Sequence, residues 1–106
     1  MSSDAQYYRQ MSMQIDFQRQ KIVELEGEKF EHELVVKALE PMADDRKCYR
    51  LIGGVLVQRT KKEVYPAVKQ NLEHIVTALE TLKQDLAALE QQSIDFRQQA
   101  LGKKDE

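Results

Sequence analysis

The sequence lacks most of the residues on which disulfide-bonded, metal-binding and membrane proteins depend. It has 106 residues but only one cysteine, Cys48, two prolines and no tryptophan. One cysteine cannot form an internal disulfide framework or a structural zinc site. The longest uncharged stretch, residues 51–58, is far shorter than the roughly 20 residues that cross a bilayer. No basic segment followed by an apolar run opens the sequence, so no signal peptide is expected.

The low glycine and proline contents also exclude collagen-like chains and disordered chains rich in these residues. The chain is 42% hydrophobic and 32% charged, and its length is typical of one domain. We therefore expect a soluble, intracellular protein with a single domain over residues 1–106.

Charged residues are segregated along the chain, although the formal net charge is only −2. Residues 1–45 carry 10 acidic and 5 basic side chains, and residues 63–106 carry 8 acidic and 5 basic ones. Residues 46–62 carry 6 cations and no acid. Two acidic segments therefore flank a basic centre.

The last segment has the most regular hydrophobic pattern. Its apolar residues recur at alternating steps of three and four, which keeps them on one side of a slightly underwound helix. This stripe consists of Tyr65, Val68, Leu72, Ile75, Leu79, Leu82, Leu86, Leu89, Ser93, Phe96 and Ala100. The spacing predicts a helix over residues 61–101 that forms one side of a left-handed coiled coil.

The first segment repeats this pattern and predicts a helix over about residues 5–40, ended by Pro41. Its stripe consists of Tyr8, Met11, Ile15, Gln18, Ile22, Leu25, Lys29, His32, Val36 and Leu39. Phe30 and Leu34 lie outside the stripe, which leaves open a shift of register in the second half of the helix. The two helices have similar lengths, as expected for an antiparallel pair.

The basic centre contains a predicted β-hairpin over residues 47–60. Gly53 and Gly54 separate two runs rich in β-branched and aromatic residues, and glycines adopt the positive φ angles of a tight turn. Thr60 and Glu63 have the spacing of a capping box at the start of the second helix. Pro66 leaves two alternatives, a helix with a kink at Pro66 or one whose regular part starts there.

A lone two-stranded hairpin is marginally stable in water and leaves both of its edges unpaired. Its five large aliphatic residues are Leu51, Ile52, Val55, Leu56 and Val57. Burying them would favour association by roughly 10 kcal/mol before entropic costs. The pattern therefore predicts an oligomer whose subunits associate through their hairpins.

No catalytic, cofactor-binding or metal-binding motif is recognisable in the sequence, so we expect neither an enzyme nor a cofactor. The basic centre could bind nucleic-acid phosphates, but the acidic segments would repel a nucleic-acid backbone. We expect neither nucleic-acid nor membrane binding.

Aromatic and methionine side chains cluster near both ends of the chain. An antiparallel pair of helices brings these ends together at the tip farthest from the hairpin. Methionine adapts to irregular apolar partners, which suggests a surface for unspecific contacts, although ordinary packing between the helices explains the same residues. The candidates for such a client-binding tip are Tyr7, Tyr8, Met11, Met13, Phe96 and Leu101.

Residues 46–68, RKCYRLIGGVLVQRTKKEVYPAV, resemble the hairpin signature of the β-class subunits of eukaryotic prefoldins. Residues 31–40, EHELVVKALE, are similar to the end of the first helix in that family. The resemblance implies two helices in an antiparallel coiled coil with a single β-hairpin at the closed end.

The resemblance also implies a function. Prefoldin is a heterohexamer of α- and β-class subunits whose hairpins form a platform and whose coiled coils project from it. It captures unfolded proteins, notably actin and tubulin, and passes them to the cytosolic chaperonin without ATP. The expected location is the cytoplasm, with the nucleus left open as a second one. By position, the platform residues would be Tyr49, Leu51, Ile52, Gly53, Gly54, Val55, Leu56 and Val57.

A different class of function stays open at this point. A coiled-coil adaptor subunit of a scaffold complex would share the helices and the hairpin but would bind no unfolded client.

Overall fold

The computed structural model of the chain describes residues 3–104. The elements are α1 (Ser3–Leu39), β1 (Lys47–Ile52), β2 (Val55–Thr60) and α2 (Lys61–Lys104). The predicted fold class, mainly helical with one antiparallel hairpin, is confirmed. Met1, Ser2, Asp105 and Glu106, which the predicted domain includes, lie outside the described residues.

The described residues form two compact units, Glu26–Thr77 and residues 3–25 with 78–104. In the second of these, the aromatic rings of Tyr7 and Phe96 lie 4.9 Å apart between their centroids. Arg19 Nη2 lies 3.7 Å from Glu90 Oε1. Residues later in α1 thus face residues earlier in α2, as in an antiparallel pair. The buried residues of this unit are Met11, Ile15 and Leu79.

The unit Glu26–Thr77 has its own small core. Leu39 at the end of α1 is buried together with Val64 and Val68 in the first turns of α2. Residues from both helices, the connecting segment and the first strand pack against this core: Val36, Met42, Cys48 and Tyr65. The core therefore fixes the base of the hairpin between the two helices.

The segment between α1 and β1 caps the start of α2 through its backbone. The amide of Lys61 donates to the carbonyl of Arg46 at 2.9 Å, and the amide of Lys62 donates to that of Asp44 at 3.1 Å. The Thr60 hydroxyl donates to a carboxylate oxygen of Glu63 at 3.1 Å. Helix N-termini leave their first amides without intrahelical partners, so the two backbone contacts stabilise a start at Lys61. The Thr60 hydroxyl contacts the Glu63 side chain and not an amide.

Pro66 lies inside α2. The alternative of a helix that starts at Pro66 is therefore wrong. A proline inside a helix lacks the amide that would bond to the carbonyl four residues earlier, here that of Lys62. The side chain of Pro66 is exposed, so its ring displaces no core residue.

Both predicted stripes are covered along their described lengths. Every stripe residue of α1 and α2 is buried or half-buried, including the polar members Gln18, Lys29 and His32. Phe30 and Leu34 are exposed. The register of the first helix therefore does not shift in its second half, and two large apolar residues lie on its outer surface.

Candidate functional site

The hairpin is built around a two-residue glycine turn. Gly53 and Gly54 have φ angles of 54° and 80°, a region that residues with a Cβ atom rarely adopt. Ile52 pairs with Val55 directly beside the turn, and Leu51 pairs with Leu56. The predicted strands and turn are confirmed, and the turn fixes which residues share a face.

Each face of the hairpin carries apolar side chains. Because directly paired residues of antiparallel strands share a face, Tyr49, Leu51 and Leu56 lie on one face. Ile52, Val55 and Val57 lie on the other. A sheet with one buried face shows alternating apolar and polar residues, whereas this hairpin is apolar on both faces near its turn.

These apolar side chains are left open to solvent. Leu51 is 73% exposed, and Val57 is half-buried. The other members of the hairpin surface are also exposed: Tyr49, Ile52, Val55 and Leu56. Because the described sheet has only two strands, β1 and β2 each leave one edge unpaired. A surface of this kind is typical of an interface rather than of a free hairpin.

Six cations accompany this apolar surface. Arg59 Nε lies 3.8 Å from Glu63 Oε2, and Lys61 Nζ lies 3.7 Å from Asp44 Oδ1. Arg46, Lys47, Arg50 and Lys62 form no ion pair within residues 3–104. The hairpin thus presents apolar side chains together with unpaired positive charge.

The residues predicted for a client-binding tip lie in the unit formed by residues 3–25 and 78–104, but their exposures differ. Met13 is 70% exposed, whereas Met11 is only 4% exposed. Tyr7 and Leu101 are exposed, and Tyr8 and Phe96 are half-buried. Met11 therefore has the position of a seam residue, and we leave it out of the client surface proposed below.

A groove lies beside Met13 on this unit. It has a volume of about 640 Å³ and is lined by four apolar residues, two glutamines and one aspartate: Met13, Phe17, Ala88, Leu89, Gln14, Gln18 and Asp85. Phe17 is exposed. The Oε1 atom of Gln18 is buried and has no hydrogen-bond partner in the structure. The groove thus offers the accessible apolar side chains of Met13 and Phe17, whereas the Gln18 oxygen is closed to a bound chain.

No cluster of three or more potential metal ligands occurs within residues 3–104. Nδ1 of His32 lies 2.7 Å from the backbone carbonyl oxygen of Glu28. Cys48 is half-buried, and its Sγ lies 3.7 Å from the carbonyl oxygen of Arg46. No described helix is long and apolar enough to cross a membrane.

Known proteins with the same pattern identify the family. The family model described as "Prefoldin subunit" matches residues 4–103. The chain belongs to the prefoldin subunit family. Prefoldin subunit 2 of Bos taurus and that of Homo sapiens are each 49% identical to it over 78 residues. These matches cover 74% of this chain and 51% of the mammalian proteins, so the match spans about half of their length.

Two further matches to prefoldin subunits cover a larger share of the matched protein. The probable prefoldin subunit 2 of Dictyostelium discoideum is 34% identical over 91 residues, covering 86% of this chain and 78% of that protein. The prefoldin β subunit from Thermococcus strain KS-1 has a similar structure, with a TM-score of 0.81. That match covers 92% of this chain and 85% of the other at 18% identity, and therefore supports the fold alone.

In this prefoldin-family chain the structure brings together all of the predicted platform residues, because they belong to one hairpin. Sequence reasoning missed Phe17, which lies outside the seam stripe and lines the groove. An aromatic residue on the outer side of a predicted coiled-coil helix was the signal available for it. Phe30, which is exposed, stands out in the sequence only because it lies outside the stripe.

Proposed function

We propose that this chain is a β-class subunit of a hetero-oligomeric prefoldin that captures unfolded proteins and passes them to the cytosolic chaperonin without ATP. The observation that carries this proposal is the hairpin of a prefoldin-family chain, apolar on both faces and unpaired at both edges. The family match over residues 4–103 supports the prediction of one prefoldin-like domain.

Assembly follows from the hairpin surface. Neighbouring subunits that add strands to both edges would satisfy the backbone groups of β1 and β2. Packing on both faces would bury Leu51, Leu56 and Val55, at about 1.5–3 kcal/mol for each fully buried side chain. The proposed partners are the α- and β-class subunits of the same complex.

Client capture is assigned to the other unit of the chain. The groove beside Met13 and Phe17 offers apolar side chains of adaptable shape, and Tyr7 and Leu101 are exposed on the same unit. Unfolded proteins expose apolar segments, which accessible apolar side chains of this kind can contact. The proposed clients are unfolded actin- and tubulin-like chains.

Weak individual contacts suffice in such a complex because several arms are tethered to one platform. Tethering raises the effective concentration of each further contact, so a client can be held that no single arm would retain. Release then requires only that the chaperonin displace the arms one after another. In this mechanism the chain binds without catalysis, cofactor or nucleic acid, in the cytoplasm and with the nucleus as a second location to be tested.

The client-binding part is tested with the reconstituted hetero-oligomer and chemically denatured actin. The Met13→Ser, Phe17→Ser double variant should assemble normally but protect the diluted actin from aggregation about twofold less well, measured by light scattering. The matched control is Val23→Ser, because Val23 is also 70% exposed on α1 but does not line the groove.

Unchanged protection in the double variant would contradict the assignment of clients to the groove. An equal loss in the Val23→Ser control would show that general surface hydrophobicity, and not the groove, is responsible. Failure of the wild-type complex to protect actin would overturn the proposed chaperone function itself.

A further inference from the structure

One lysine of the basic centre differs from the others in the placement of its side chain. Only 14% of the Lys61 side chain is exposed, whereas the other lysines of the segment, Lys47 and Lys62, are exposed. A lysine ammonium that loses contact with water needs partners in the protein, because burial of an unpaired charge is costly. The contacts of Lys61 therefore indicate what its charge holds in place.

The ammonium of Lys61 contacts three separate parts of the chain. Its Nζ atom donates to the carbonyl oxygen of Glu40, the residue after α1, at 3.5 Å, and it lies 3.7 Å from Asp44 Oδ1 in the connecting segment. The same atom lies 5.0 Å from the centre of the Tyr65 ring in α2, within the range of a cation–π contact. One side chain thus joins the end of α1, the segment before the hairpin and the start of α2.

Further contacts involve the same residues. The Tyr65 hydroxyl donates to Glu40 Oε1 at 3.5 Å, and the amide of Lys61 donates to the carbonyl of Arg46, the residue before β1. Because Lys61 is also the first residue after β2, these contacts lie where both strands join the helices. We call this group of residues the junction; it consists of Glu40, Asp44, Lys61 and Tyr65.

The contacts of the junction fix a direction more than they stabilise the chain. Asp44 is 75% exposed, and an ion pair with an exposed carboxylate contributes little to the free energy of unfolding. The Lys61 ammonium nevertheless reaches all of its partners at once only in one arrangement of the two helix ends and the connecting segment. Loss of this charge would therefore widen the range of hairpin orientations without unfolding the helices.

The orientation of the hairpin matters because its surface has to meet other subunits. Cys48 of β1 packs against the core of Leu39, Val64 and Val68 at the base of the hairpin, whereas Leu51 near the turn is exposed. A hairpin that pivots on this base would present its surface correctly for only part of the time, which lowers the rate of association by the same fraction. In the complex the neighbouring subunits hold the hairpin, so the rate of dissociation should not depend on the junction.

We propose that Lys61 is a positioning residue: by binding Glu40, Asp44 and Tyr65 it holds the hairpin in the orientation that assembly with other subunits requires. This inference rests on the proposed function, because it requires that assembly. Lys61 acts through the hairpin and does not itself contact a partner. Its charge thus serves the single chain before assembly, unlike the apolar side chains of the hairpin surface, which serve the interface.

The kinetics of assembly test this role. Lys61→Met keeps a long unbranched side chain but removes the ammonium. We expect association of the dye-labelled chain with the other subunits, followed by fluorescence anisotropy, to become about tenfold slower. The rate of dissociation and the midpoint of urea unfolding should not change. The matched control is Lys62→Met, because Lys62 is exposed and forms no ion pair within residues 3–104; it should associate at the wild-type rate.

Further variants test the partner of the ammonium. Asp44→Asn should slow association about threefold, whereas Asp45→Asn should not, because Asp45 is exposed and forms no ion pair within the described residues. Lys61→Met combined with Asp44→Asn should be no slower than Lys61→Met alone, since both changes remove the same contact. Lys61→Arg keeps the charge and should associate within about threefold of the wild-type rate.

The other outcomes overturn the inference. Unchanged association of Lys61→Met would show that the hairpin needs no positioning by this residue, and equal slowing in Lys62→Met would assign the effect to the net charge of the segment. A lower unfolding midpoint with faster dissociation in Lys61→Met would show a structural role instead. A wild-type chain that does not associate with the other subunits would remove the proposed function itself, and the same measurement shows this before any variant is compared.

Discussion

The helix seam and the hairpin contain the same kinds of aliphatic residue but differ in what covers them. Leu79 in the seam is 3% exposed, whereas Leu51 in the hairpin is 73% exposed. The seam is covered by residues of the chain itself, since each stripe faces another helical stripe. The hairpin has no such cover among the described residues. The comparison separates apolar residues that stabilise the fold of the single chain from apolar residues that the single chain leaves exposed to solvent.

The largest expected effect comes from placing a charge on the hairpin surface. Val55→Asp should weaken assembly with other subunits more than about 100-fold, because an unpaired charge would be buried at the interface. Native mass spectrometry of the mixed subunits measures this. Gln70→Asp is the control on the exposed side of α2 and should assemble normally. A normal complex with Val55→Asp would remove Val55 from the interface.

The second prediction compares the same substitution, leucine to alanine, in the seam and in the hairpin. Leu79→Ala should lower the free energy of unfolding of the isolated chain by about 2–4 kcal/mol, because it opens a cavity in the seam. Leu51→Ala should change it by less than about 0.5 kcal/mol, because the side chain is exposed. Urea unfolding followed by circular dichroism gives both values. Equal losses in the two variants would contradict the division of the chain into seam and hairpin surface.

The third prediction compares two glycines. Gly54 has a φ angle of 80° in the turn, whereas Gly27 lies inside α1 with open space around its Cα. Gly54→Ala should destabilise the hairpin by about 1–2 kcal/mol, and Gly27→Ala should stabilise the chain by about 0.5–1 kcal/mol. Hydrogen exchange of the strand amides reports the first change, and urea unfolding the second. Destabilisation by Gly27→Ala would show that something approaches that position closely.

The smallest expected effect lies at the junction of the two regions. Thr60→Ala should destabilise the start of α2 by about 0.5–1 kcal/mol, because the contact with Glu63 is lost. Thr60→Ser keeps the hydroxyl and should behave like the wild-type chain. Amide exchange of the first turn of α2 measures the difference. A larger loss that also exposes the amides of β2 would mean that hairpin and helix open as one unit.

The fold could be predicted from the sequence to a large extent because its signals are local. The alternating steps of three and four identify the covered side of each helix, and every residue of both stripes is buried or half-buried. Gly53 and Gly54 identify the turn and with it the pairing of the strands. The capping of Lys61 and Lys62 by carbonyl groups of Arg46 and Asp44 was not predictable, since backbone atoms leave no pattern in a sequence.

The candidate site was predictable only where it coincides with such a local signal. The hairpin surface follows from the turn, so its residues could be named in advance. The groove depends on which side chains of α1 and α2 come together outside the seam, and Phe17 was therefore missed. For Met11, two signals in the sequence conflict. Its place in the stripe indicates burial, whereas the chemistry of its side chain suggests a client contact. The structure agrees with the first signal, because Met11 is buried.

The most direct test of the account is the native mass of the complex recovered with this chain from its own cytosol. We predict a particle of about six small chains, in which this chain is a minority beside different subunits of the same family. Hairpin residues that are exposed in the single chain would then be protected in the particle. A homodimer of this chain alone, with the hairpin still open to solvent, would contradict the assignment of the hairpin to a prefoldin platform.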